Sequence, residues 1–146
     1  MKQQEIFNKA SAHLRSMDGP SLDDRGDSCM YRGEGGAMCA VGVFISDEHY
    51  FTDMEGGGID GSNMRAREAV ALSWGQDCLD APQLDLLSDL QNAHDQGSRC
   101  EDWSDQIVWA LERIRIKHRL RLASGETDWT DVDAPHAPIV WLEVSA

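Results

Sequence analysis

Long hydrophobic runs are missing from this sequence. Apolar stretches stay short, as in Ala40-Val41-Gly42-Val43-Phe44-Ile45, against the roughly 20 residues that a membrane-spanning helix needs. Met1-Lys2-Gln3-Gln4-Glu5 lacks the apolar centre of a signal peptide, so a cytoplasmic protein is expected. No Cys-x-x-Cys pair is present, which removes the spacing of a zinc ribbon. The four cysteines, Cys29, Cys39, Cys78 and Cys100, are widely and irregularly spaced. Without a secretory signal they are expected as thiols, at least two of them small buried hydrophobes. Basic residues are also scarce: 13 Lys and Arg stand against 26 Asp and Glu, a net charge of −13.

That imbalance is uneven. Asp18 to Gly61 holds ten acids against Arg25 and Arg32, and Asp77 to Asp105 holds eight against Arg99 alone. Glu126 to Ala146 carries five acids and no base. The exception is Arg113, Arg115, Lys117, Arg119 and Arg121, within nine residues. Such a field repels nucleic acid and membrane surfaces and favours a basic protein partner; the plainer reading is that it keeps the chain soluble.

What is present suits one domain over 1–146, with 125–146 as a C-terminal extension packed on it. Ile6, Phe7, Ala10, Leu14 and Met17 recur at helical spacing, predicting a helix from Gln3 to Met17 that Asp18-Gly19-Pro20 ends. Cys29–Arg32 and Ala37–Val41 flank Gly33-Glu34-Gly35-Gly36, which reads as a β-hairpin. Gly42 is expected where another element approaches closely, and Val43-Phe44-Ile45 is expected to be buried. Asp53 to Asn63 holds four glycines without periodicity and reads as a long, functional type of loop. Ser62 or Asn63 can cap a helix that runs to about Trp74. Ala81-Pro82 starts another, with Leu84, Leu87, Leu90, Gln91 and His94 on one face and Gly97 at its end. Asp102, with Asp105 three residues on, caps what is expected to be the longest helix. Ile139–Val144 reads as a strand. The fold class expected is therefore α+β and mainly helical: four or so helices around a short hairpin, to which a C-terminal strand can add.

Cys29-Met30-Tyr31-Arg32 and Cys39-Ala40-Val41-Gly42 give a Cys-x-Tyr-Arg … Cys-Ala-Val-Gly signature. With Tyr50, Met54-Glu55-Gly56 and Leu90-Gln91-Asn92-Ala93-His94-Asp95, it resembles a family of small uncharacterised proteins of phage and prophage genomes. The resemblance spans roughly Gln3 to Leu122 and carries over no catalytic residue. It implies a context, since small phage accessory proteins are often inhibitors of host machinery, anti-CRISPR proteins among them.

Three functions are carried forward. The first is an inhibitor that covers the basic surface of a host defence or nucleic-acid-handling protein, with Asp47, Glu48, Asp53, Glu55 and Asp60 as candidate partner-binding residues. The second is a thiol-dependent hydrolase or transferase built on Cys39 and His94. In that reading Gln91 orients His94, because Asp95 is its neighbour and adjacent helical side chains diverge by about 100°. Cys39 lies in an apolar run, where an inert core thiol is the default, and His94 continues the apolar Leu87–Leu90 face. The third is a structural protein that forms a homo-oligomer, a homodimer in its simplest form. No cofactor and no metal are expected: Asp53, Glu55 and Asp60, and likewise Asp128, Asp131 and Asp133, lack the alternating spacing of a calcium loop. The glycine runs lack the residues that would make them phosphate cradles.

Overall fold

Ile6, Phe7, Ala10 and Leu14, spaced by turns of a helix, are all buried in α1, Gln3–Ser16. This computed structural model describes residues 1–122. α2 spans Met64–Ser73, α3 Ala81–Gly97 and α4 Trp103–Lys117. Asn63 Oδ1 accepts from Ala66 N at 3.2 Å to cap α2, and Asp102 Oδ1 accepts from Asp105 N at 3.3 Å to cap α4. Asp80 caps α3 in a reciprocal box: Asp80 Oδ1 accepts from Gln83 N at 2.8 Å, and Gln83 Oε1 accepts from Asp80 N at 3.0 Å. α3, with 17 residues, is longer than α4 with 15, a correction to the expected order. The box and Pro82 in the first turn fix its start, and the run to Gly97 is unbroken.

α1, α3 and α4 pack on one another, burying Leu86, Leu87, Leu90, Ile107 and Leu111 beside the α1 stripe. α2 packs instead on the irregular chain between α1 and α3, at the turns Asp47–His49 and Thr52–Met54. Phe44 meets Trp74 edge to face at 5.4 Å, joining that loop layer to α2. Phe44 and Ile45 are buried and Val43 is half-buried. Among the described residues no helix is long and apolar enough to cross a membrane.

The expected β-hairpin is corrected. The chain does reverse at Glu34–Gly36, with Gly33 N donating to Ala37 O at 2.8 Å and Cys39 N to Tyr31 O at 3.3 Å. Only one isolated bridge, Arg32 to Met38 in the antiparallel sense, forms across that reversal, and the described residues contain no strand. The reason is a competing acceptor. The Glu55 carboxylate takes the backbone N–H of Tyr31 at 2.8 Å and of Arg32 at 3.1 Å, and also the Tyr50 hydroxyl at 2.7 Å. A side chain thus occupies the Tyr31 donor that a ladder would give to Cys39 O, which accepts from Val43 N at 3.3 Å instead. Gly42 behaves as expected: a Cβ there would lie 1.9 Å from Tyr31 O. The predicted strand at 139–144 and the extension 125–146 lie outside the described residues.

Glu55→Ala should cost about 3 kcal/mol or more, since it strands two backbone donors and a hydroxyl. Asp53→Ala, two residues away, removes only an exposed pair with Arg65 and should cost less than about 1 kcal/mol. Urea unfolding of both variants checks this, and equal losses would contradict it.

Candidate functional site

Gln91, His94, Asp95 and Ser98 occupy successive turns of α3 and face the loop layer. His94 is fully buried, edge-on to the Trp103 ring at 5.4 Å. Ser21 N donates to His94 Nε2 at 2.9 Å, so that nitrogen carries no proton. The ring proton sits on Nδ1 and is donated to Asp95 Oδ1 at 2.9 Å. This corrects the expected orienting residue. Asp95 and His94 diverge at Cβ, but their short side chains fold back together. Gln91 Oε1 is taken by Ile59 N at 2.8 Å.

Beside them opens a cleft of about 470 Å³. α3 supplies one wall through Gln91, Asp95 and Ser98; Cys29, Tyr31 and Cys39 face it from the loop layer, with Gly56–Gly58 between. Residues far apart in sequence, from Cys29 to Ser98, thus converge here. The exposed Asp27 and Arg99, which the sequence reading passed over, also line the cleft.

Cys39 and Cys29, the two thiols at the cleft, are unsuited to nucleophilic work. Burial pushes Cys39 up to about 12, and its Sγ accepts from Gly42 N at 3.3 Å. Burial also raises Cys29, whose Sγ lies 3.5 Å from Ser98 Oγ. Both nitrogens of His94 are engaged, by Ser21 and Asp95, and neither is free to take a proton from Cys39. Cys39 is the one fully buried thiol, Cys29 is half-buried, and Cys78 and Cys100 are exposed. The expectation of at least two buried thiols is corrected accordingly; all four are free.

Cys29, His94 and Asp95 place one donor atom each within 4.8 Å of one another, a grouping the sequence reading missed. A metal on Nδ1 requires the proton on Nε2, where the Ser21 N–H already points. The arrangement is a hydrogen-bonded relay and does not fit a metal.

The candidate partner-binding acids lie elsewhere, along Ser46–Ser62. Asp47, Glu48, Asp53 and Asp60 are exposed, whereas Glu55 is half-buried in the clamp described above. Asp47 pairs with Arg32 at 2.9 Å and Asp53 with Arg65 at 2.7 Å; Glu48 lies 3.6 Å from His49. Asp60 makes no ion pair among the described residues. No family model, curated protein or solved structure matches the chain.

Two outcomes follow. Brief alkylation of the native protein at neutral pH should modify Cys78 and Cys100 first and Cys39 only after unfolding; early loss of Cys39 would contradict its burial. Burial, chiefly, also holds Tyr31 and Tyr50 up to about 12. Each of these three groups keeps its proton more tightly when folded. Ionisation of the unfolded chain, from the ordinary cysteine value of 9.0 and tyrosine value of 10.0, therefore comes first. Stability should be intact below about pH 9 and fall as pH climbs toward 12. Denaturant midpoints across that window measure it, and a flat profile would contradict it.

Proposed function

We propose that this is a phage-type accessory protein that inhibits a host defence or nucleic-acid-handling protein by covering its basic surface with the acidic loop Ser46–Ser62. One observation carries the reading: the loop has no regular strand or α-helix, yet side chains tie it at many points while Asp47, Glu48, Asp53 and Asp60 face water. Arg32 Nη2 donates to Ile45 O at 2.8 Å, and its guanidinium stacks 4.5 Å over Tyr50. Asn63 Nδ2 donates to Met54 O and Gly57 O, both at 2.8 Å. Arg67 donates to Ile59 O at 2.8 Å and Gly61 O at 2.7 Å. Gln91 and Glu55 complete the set.

A loop held this way presents its charges without an ordering cost on binding, which favours recognition. Its carboxylates stand in for the phosphates that a basic nucleic-acid-binding surface would otherwise hold. Glu55 contributes by keeping the loop in shape rather than by touching the partner. The thiol-enzyme reading finds no support in the engaged His94 and the high Cys39 thiol.

The test is capture from a bacterial host lysate on immobilised protein, read by mass spectrometry. Parent protein should retain a basic partner in low salt and release it at roughly 0.5 M, where screening falls to a few ångströms. Replacing Asp47, Asp53 and Asp60 by Asn and Glu48 by Gln should weaken capture at least ~10-fold with the fold intact. A partner held equally well by that variant would place recognition on another surface.

A further inference from the structure

α4 commits one side to the core and leaves a row of side chains uncovered on the other. Trp103, Ile107, Leu111 and Ile114 are buried. Asp105, Trp109, Arg113 and Lys117, each four residues from the last, form a single ridge, and all four are exposed. Trp109 is 55% exposed and Val108 beside it 49%, a large apolar pair for the surface of so charged a chain. The Arg113 guanidinium lies 4.7 Å over the Trp109 ring and pairs with no carboxylate among the described residues.

The order of charges along this ridge is self-complementary when reversed. Asp105 and Arg113 are each four residues from Trp109, one on either side. We infer that α4 is a self-association surface, on which a second copy of this chain packs antiparallel about a two-fold axis at Trp109. In that register Asp105 meets the second copy's Arg113, and the axis repeats the pair. Ridges of this four-residue type lie parallel when two helices cross at about 50°, so the row stays in contact along its length. Trp109 also lines two hollows that can receive apolar groups of the second copy. One, of about 300 Å³, lies between α3 and α4 beside Asn92 and Ala110; the other, of about 520 Å³, lies by Cys100 and Asp102.

Two local features fit. Asp102 hydrogen-bonds to Asp105 and adds like charge, holding the Asp105 carboxyl above its ordinary value, and an incoming guanidinium relieves this. Lys117 already pairs with Asp89 at 2.9 Å, which leaves Arg113 as the cation of the ridge open to the second copy. Two chains of −13 repel each other at long range, but physiological salt screens beyond about 8 Å and leaves the close pairs acting.

Sedimentation velocity of the full chain at physiological salt, from low micromolar to near-millimolar protein, is the test. A reversible monomer–dimer equilibrium is expected. Trp109→Ala and Arg113→Asp should each lower association at least ~10-fold, because the axis makes every change act twice. Combining Asp105→Arg with Arg113→Asp should restore it to within ~3-fold of the parent. Circular dichroism establishes that each variant folds; should the swap unfold, the losses expected of Trp109→Ala and Arg113→Asp decide the inference. A parent that stays monomeric throughout overturns the inference and leaves this ridge to a different protein. So does a dimer indifferent to Trp109 and Arg113, or a swap that folds without restoring association.

Discussion

The Glu55 carboxylate is the constraint on which the loop half of this protein depends. It accepts from Tyr31 N, Arg32 N and Tyr50 Oη, three donors that no helix or strand would otherwise satisfy. Buried or half-buried backbone donors need an acceptor, and a charged one makes the stronger bond. Once Tyr31 and Arg32 are fixed there, Gly42 can lie against Tyr31 O and the following Phe44 can reach Trp74. The Arg32 guanidinium is then placed to hold both Ile45 O and Asp47. One side chain thus sets the course of the chain from Tyr31 to Glu55.

The helical half was legible in the sequence because its signals are local and repeat. Periodicity placed α1, and Asn63 and Asp102 placed the starts of α2 and α4, since a cap depends on only a few adjacent residues. The loop half was misread where long-range side chains intervene. Alternation around glycines at 29–41 is what a hairpin looks like, and nothing nearby reveals that Glu55, more than twenty residues on, takes its donors. The relay at His94 was misassigned for a related reason. Divergence between adjacent Cβ atoms says nothing about where Nδ1 and Oδ1 end. Cys29 and Asp95 were in view as single residues, but only the fold gathers them, with Ser98 beside them.

Charge divides the surface into two unlike regions. Exposed acids are carried on a loop without regular strands, where each is free of the demands of a core. The basic residues are gathered toward the end of α4, beyond its acidic start, in the orientation that the helix dipole favours. The acidic loop and the mixed-charge helix α4 are therefore separate surface features. They rest on different residues and different parts of the chain.

Tyr31 and Arg32, with Gln91 and His94 distant in sequence, all act as ties between side chain and backbone. Tyr31 Oη donates to Gly57 O at 2.7 Å, Arg32 holds Ile45 O, Gln91 holds Ile59 N, and His94 holds Ser21 N. Gly42 is there because no Cβ fits against Tyr31 O. A set of this kind fixes how an irregular loop is laid on a helical base. Thiols raised by burial and a histidine engaged at both nitrogens agree with that assignment. Between the ties lie exposed positions, Asp47, Glu48, Asp53 and Asp60 among them, which carry surface charge and leave the course of the loop to the buried and half-buried side chains.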